Sequence, residues 1–338
     1  AFADRSMLMD GTSGHVPQDN TLRVDYAYAT VSNVFGAPVW FSIGRRPSTS
    51  GIPGNIRENA EKIGTAGIPN LLVDYAFDGF SLGYAPDIEA LPGSYVKLCG
   101  GRGYSNGFTT NGSASTSLNN SLDNTDFLGL NAAIMDTDKI HAEVQYQKGM
   151  NIFDRPETPT ANLGNIDWAG GVVMGKVNTL NLFLSAATSM TDPKGTGFMG
   201  AKMLDGEKRT GYAVYVGGRY DIPSTKTKVG LEYNHGSKYW VGFVPAGDDI
   251  WTSKLGARGD VVEVYLIQEL NRAAISKNGK AFIRLGYQYY KFQYTGSNNW
   301  EGAPVKISDL STTNPMTQQF LPPVENAQDL YLTFDVQF

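Results

Sequence analysis

Residues Gln328–Phe338 read QDLYLTFDVQF, an unbroken alternation of apolar and polar side chains. Leu330, Leu332, Phe334, Val336 and Phe338 fall on one side of an extended chain. Tyr331, Thr333, Asp335 and Gln337 fall on the other, because successive side chains of a strand point to opposite faces. The segment is therefore predicted to be a half-apolar strand. An aromatic at its end suits a surface whose apolar side meets lipid and whose rim sits at the membrane edge. The last strand of a soluble sandwich would alternate in the same way, so the rest of the chain has to discriminate.

The ending also resembles the terminal strand of bacterial outer-membrane β-barrels, which carries a terminal Phe as a sorting signal. The composition is compatible with that. Charged residues are 18% of 338, below the roughly 25% of soluble domains. Gly at 39 and Tyr at 18 suit many strands joined by turns. The mean hydropathy of −0.26 is what a barrel with polar loops and a wet lumen averages to. No apolar run reaches the length of a membrane-spanning helix, which leaves a closed barrel as the spanning structure. A net charge of −5 gives no basic stripe for nucleic acid. The single cysteine, Cys99, excludes an intramolecular disulfide and a Cys-ligated cluster, and no C-x-x-C-H is present for attached haem.

About fourteen segments carry strand patterning. In chain order they are Leu22–Val31, Val39–Arg46, Leu71–Phe77, Phe80–Tyr84, Tyr95–Gly101, Asp126–Ile134 and Ile140–Gln147. Then come Ile166–Lys176, Leu180–Thr188, Gly211–Asp221, Lys228–Asn234, Asp260–Leu270, Ala281–Tyr294 and Gln328–Phe338. Val229, Leu231 and Tyr233 oppose Lys228, Gly230 and Glu232; Ile140, Val144 and Tyr146 oppose His141, Glu143 and Gln145. The connections separate barrel from sandwich. Met135–Lys139, Val177–Thr179 and Ile222–Thr227 are short, whereas Lys148–Asn165, Ser189–Thr210, His235–Gly259 and Thr295–Ala327 are long. Outer-membrane barrels have short periplasmic turns and longer external loops. The expected fold is all-β: a transmembrane antiparallel up-and-down β-barrel, one domain over residues 1–338, in the bacterial outer membrane.

Asp25–Arg46, DYAYATVSNVFGAPVWFSIGRR, is followed by polar Pro47–Pro69 and then by Leu71–Tyr84, LLVDYAFDGFSLGY, with the turn-prone pair Asp78-Gly79. This order resembles general diffusion porins: two strands, the second ending in Gly-Arg, a loop folded into the lumen, and a strand pair. A longer stretch, from WFSIGRRP at Trp40–Pro47 to Asn151-Ile152-Phe153, resembles a functionally obscure family of outer-membrane barrels from anaerobic, metal-respiring bacteria. That resemblance implies further upstream strands, about sixteen in the complete barrel, enough for an aqueous channel. It also implies a rival role as the sheath of a multihaem cytochrome conduit. Counting strands back from Phe338 puts Pro47–Pro69 at the short-turn end, whereas the porin resemblance puts it among the long loops. A miscounted strand between Ala85 and Asp123, where Pro86 and Pro92 lie, would reconcile the two.

Expected pore-lining residues are Arg23, Asp25, Arg46, Asp74, Lys97, Glu143, Arg219, Lys228, Glu232, Glu263, Arg284 and Asp335. Arg57, Glu58, Glu61 and Lys62, on a short helix over Asn55–Ile63, are expected to form a constriction with a transverse field. An ordinary solvated helix is the alternative. Of His15, His141 and His235, His141 lies beside Glu143, but no G-x-S-x-G elbow accompanies it, so no enzyme is expected. Asp248-Asp249 is too little for a calcium site, and no metal or cofactor is expected. Trp240, Trp251, Trp300 and the Tyr287–Tyr294 cluster suit interfacial girdles or a sugar slide. The expected function is passive passage of small polar or charged solutes. The expected partners are outer-membrane lipid and lipopolysaccharide, those solutes, and a second copy or a periplasmic or multihaem cytochrome, with no nucleic acid.

Overall fold

The computed structural model describes residues 27–46, 51–62, 67–75, 77–104, 124–153, 162–194, 198–199, 207–244, 251–270, 279–310 and 324–337. Period-two patterning becomes β1 (Ala27–Ser32), β2 (Val39–Arg46), β3 (Phe77–Tyr84), β4 (Tyr95–Tyr104), β5 (Thr125–Asp136), β6 (Ile140–Phe153) and β7 (Asn162–Val177). It continues in β8 (Leu180–Pro193), β9 (Thr210–Ile222), β10 (Thr227–Gly236), β11 (Gly259–Glu269), β12 (Lys280–Phe292) and β13 (Asn326–Gln337). They form one 13-stranded sheet in strict chain order, each strand antiparallel to the next. Two tight connections are made by residues that accept left-handed backbone, Asn178 at φ 54° and Lys226 at φ 55°.

One predicted strand is absent, and it corrects the strand count. Leu71–Phe77 is not a separate strand: residues 71–75 lie inside the sheet, and Phe77 opens β3. Leu71, Leu72 and Val73 are fully buried, so their apolar run reflects burial on all sides, which periodicity alone does not distinguish from a strand. Asp78-Gly79 is no turn; the pair lies inside β3, opposite Arg45 and Gly44 of β2. A Cβ at Gly79 would meet the Gly100 carbonyl oxygen at 2.0 Å, so the glycine permits close strand contact. With that strand removed, each of the connections 47–76, 105–124, 154–161, 194–209, 237–258 and 293–325 is longer than those flanking it. They share one end of the sheet. The parity conflict thus came from Leu71–Phe77, not from the region between Ala85 and Asp123.

The sheet is curled. Lys62 reaches Asp136 at the end of β5, and the adjacent Glu61 reaches Lys280 at the start of β12. Seven strand spacings separate those partners, about 34 Å on a flat sheet. Two neighbouring residues touch both only if the sheet wraps around them. β1 and β13 are its edges among the described residues. The outer face carries an apolar band: Leu184, Val216, Leu231, Val264 and Leu285 are all exposed, Leu231 by 58%, with the pairs Arg102–Asp126 and Lys148–Asp167 toward its long-loop edge. On the alternate positions His141, Glu143, Arg219, Glu232 and Glu263 are buried to 1% or less.

Three connections from the long-loop end enter the concave side. Residues 72–74 and 243 join the first two of them, the Phe243 amide donating to the Leu72 carbonyl and the Asp74 amide to the Phe243 carbonyl. The third lies within 293–325, and its Trp300 carbonyl accepts from the Met199 amide. Their apolar residues meet the strands around Phe243, whose ring packs against Phe77, Phe127, Trp168 and Trp300. Trp240 and Trp300 are core residues, not interfacial girdle. Their indole N–H groups donate to the carbonyls of Leu255 and Phe153, which satisfies the polar end of a buried tryptophan. Of the predicted aromatic cluster, Tyr287 and Tyr289 do face outward, but Phe292 is buried.

Candidate functional site: the constricted lumen

The inward segment begins at the long-loop end of β2 and reaches the opposite end of the sheet. Gly54–Ile56 forms a single 3-10 turn, so the helix predicted over Asn55–Ile63 is replaced by that turn and irregular chain. Pro53, Gly54 and tertiary contacts override the weak helical signal. Backbone carbonyls of this segment are taken up by wall cations. Arg219 donates to the carbonyls of Ile56 and Ala60, and Arg284 to that of Arg57. Lys176 donates to the Glu61 carbonyl. Lys97 donates to the Gly67 carbonyl. These bonds answer the requirement that buried main-chain groups find partners.

Of the four residues expected at the constriction, Arg57 and Glu58 are half-buried inside the curled sheet and Glu61 and Lys62 are exposed at its short-turn rim, and their charges do not face each other across an open gap. Arg57 pairs with Glu263 at 3.2 Å. Lys62 pairs with Asp136 at 3.4 Å and Glu61 with Lys280 at 2.5 Å, both at the water-exposed short-turn end. Glu58 is half-buried beside Arg57. The Lys280 hydrogen bond and charge hold the Glu61 carboxyl below its ordinary value, against a smaller opposing effect of burial. Asn59 extends the contact by accepting from Lys228, which also pairs with Glu269 at 2.7 Å.

At mid-height, Glu232 of β10 and Glu263 of β11 are directly opposite in register. Like charges so placed repel, and the cation between them is Lys254 from the inward connection 237–258. Its ammonium bonds to both carboxylates and lies 5.0 Å from the centre of the Tyr215 ring. Glu232 also accepts from Tyr215, and Glu263 from Tyr331 and Gln288. Lys254 was absent from the sequence reading. The available signal was the pair of facing carboxylates, which requires a counter-ion once the register is known.

The remaining expected lining residues are placed as follows. Arg46, half-buried, lies 5.8 Å from the centre of the Tyr28 ring. Asp74 is half-buried within the inward segment rather than on a strand. Asp335 faces inward on β13 and accepts from Thr333. Arg23 and Asp25 lie outside the described residues, as do His15 and Asp248-Asp249. Glu143 accepts from Tyr95 and Asn131 and lies 3.3 Å from His141 Nε2; His141 Nδ1 lies 3.1 Å from Asp136. These contacts join His141 to carboxylates, and none of them joins it to a serine. Among the described residues no His, Cys, Asp and Glu grouping has the geometry to hold a metal ion.

A recess of about 40 Å³ remains between the wall of β3–β6 and Ile68 of the inward segment. Cys99, Gly129, Asn131, Gln145 and Gln147 line it, with Arg46 at its long-loop side.

A family model described as protein of unknown function (DUF3373) matches residues 2–338, and the chain belongs to that family. No curated protein matches it. Among solved structures it is similar to one titled outer-membrane expressed OmpT of Vibrio cholerae, at 13% identity over 88% of this chain and 77% of that one. The TM-score is 0.40, and a likeness of that size carries no argument.

Proposed function

We propose that this member of DUF3373 is an outer-membrane β-barrel that passes small polar or charged solutes through a lumen narrowed by its own segments. The outer face supports the membrane setting. Leucine, valine and tyrosine side chains are exposed on strand after strand, far beyond the apolar patches of soluble monomers. Strands β5 to β9 have 12, 14, 16, 14 and 13 residues; a tilted strand needs about 9–11 to cross. The observation that carries the channel reading is the ionic seating of residues 51–62 inside the curled sheet, bonded to β5, β7, β9, β10, β11 and β12. A segment so placed sets the bore, and fixed charge along the bore selects the counter-ion.

The bore is narrow rather than wide and water-filled, because Phe243 and its neighbours occupy the long-loop half. The same filling disfavours the cytochrome-sheath reading, since the chain's own residues stand where a haem protein would sit. The reading assigns no catalysis and no cofactor.

Planar-bilayer recording tests it. Shortening residues 51–62 to a glycine-serine link is expected to raise single-channel conductance, with heat-modifiable gel migration and membrane fractionation reporting retained barrel and location. Unchanged conductance in a folded, membrane-located variant would remove the segment from the path.

A further inference from the structure

Two rows of small side chains run across the inner wall. In one, Gly170, Ala187, Ala213, Gly236 and Gly259 are in register on β7 to β11, and Trp240 and Ala257 of the connection 237–258 lie against Gly236 there. In the other, across β2 to β6, the inward positions in register are Ser42, Ser81, Cys99, Gly129 and Gln147, four consecutive strands with side chains of at most two heavy atoms. The recess described above lies over this row. Small residues make room without specifying an occupant; the specification comes from the amides beside them. Gln145 donates to Gln147 at 3.2 Å, which leaves Gln145 Oε1 and Gln147 Nε2 without a protein partner. Asn131, opposite Gln145 across the strand pair, donates to Glu143 and keeps Oδ1 without one. These three side chains are 1%, 6% and 3% exposed for Asn131, Gln145 and Gln147. Buried polar atoms are almost always hydrogen-bonded, so two acceptors and one donor at one recess point to a ligand.

We propose that this recess is a selective subsite for a small neutral solute bearing both hydrogen-bond donors and acceptors, of the amide or urea class. The chemistry excludes the simpler ions. A carboxylate has acceptors only, so it would leave Asn131 Oδ1 and Gln145 Oε1 unpaired and facing its own negative charge. An ammonium ion has donors only and leaves Gln147 Nε2 and the Arg46 Nε unpaired. A primary amide matches all of them through one NH₂ and one carbonyl. Size agrees: one water needs about 10–15 Å³ on this measure, so the recess takes about three waters or a solute of about four heavy atoms. The proposal rests on the channel reading only for its physiological role, as a filter on the path; the subsite itself is testable without conductance.

Cys99 provides the test, being the single cysteine and part of the lining. The folded full chain in detergent would be alkylated with iodoacetamide, a neutral amide, and with iodoacetate, its anionic analogue, each rate normalised to the unfolded chain. The expected result is a preference for iodoacetamide of about tenfold or more, the size set by the net contribution of one hydrogen bond. Added acetamide should slow the reaction severalfold, and acetate at the same concentration should not. Gly129→Leu should abolish labelling. A Cβ there meets nothing closer than 3.7 Å, so the backbone admits a side chain and the added bulk enters the recess. Should that variant lose its folded gel migration, Gln147→Leu serves instead: labelling stays and protection by acetamide disappears. Equal rates for the two reagents, or equal protection by acetate and acetamide, would overturn the proposal. So would a folded chain whose Cys99 never reacts. Conductance without amide protection would remove the subsite and keep the channel; protection without conductance would do the reverse.

Discussion

The long-loop half of the interior and the part from mid-height to the short-turn end are both filled by inward segments but held by different physics. In the first, the Phe243 ring lies 4.5 Å from that of Phe127 and 5.5 Å from that of Phe77, and nearly parallel to Trp300. In the second, Lys254, Arg57, Arg219 and Arg284 are bonded to carboxylates and main-chain oxygens. Apolar packing is non-directional and tolerates neither salt nor acid as a lever. Ion pairs are directional, and their strength depends on protonation and, where exposed, on salt. The contrast means that the apolar packing is the part insensitive to protonation. Any response to pH belongs to the charged part.

Two substitutions of similar cost break the comparison open. Phe243→Ala is expected to destabilise by about 3–5 kcal/mol, as large-to-small changes at packed aromatics do. Lys254→Met is expected to cost about 3–5 kcal/mol, because Glu232 is left buried without its cation while Glu263 keeps Arg57. The two part company on rescue. Adding Glu232→Gln to Lys254→Met should restore most of the stability, since the one carboxylate without a counter-ion is then neutral. No polar change should restore Phe243→Ala. Denaturant unfolding followed by tryptophan fluorescence measures both, and a double variant as unstable as Lys254→Met would show that the charge is not what the lysine serves.

The outer face gives the next effect down. Leu128, next to Phe127 of the apolar half, and Leu231, next to Glu232 of the charged part, are both exposed on the outer face. Arg at either should cost about 2–4 kcal/mol near the midplane, whatever fills the lumen behind it. A cost confined to one of them would mean that the membrane covers only part of the sheet.

Much of this was legible in the sequence, for a local reason. A strand with one face on lipid and one on a polar lumen alternates residue by residue, so Val229–Tyr233 and Leu330–Phe334 announce their faces without tertiary knowledge. The inward segments do not. Leu71, Leu72 and Val73 are all fully buried, with no exposed face to break the run, and a short apolar run of that kind reads as a strand. Trp240 and Trp300 carry no mark that separates lumen core from membrane rim. Arg57 and Lys62 were placed in the lumen by resemblance to porins, while their partners Glu263 and Asp136 depend on the path of the intervening chain. Lys254 is a lone lysine in a long connection; only the register that opposes Glu232 to Glu263 gives it a purpose.

The smallest effect concerns the tip of the inward segment. Glu61 and Lys280 form an exposed pair, and such pairs contribute about 0.2–1 kcal/mol. Lys280→Met should therefore lower stability slightly at pH 7. The Glu61 carboxyl is held below its ordinary value of 4.5, chiefly by the Lys280 hydrogen bond and charge. The contribution is thus fully present above that value and lost as pH falls through the lowered one. The difference between the native chain and Lys280→Met should shrink toward zero under acid. It should also shrink near 1 M salt, where the Debye length is about 3 Å. A difference that survives both acid and salt would place this pair with the apolar half of the lumen and erase the division between the two.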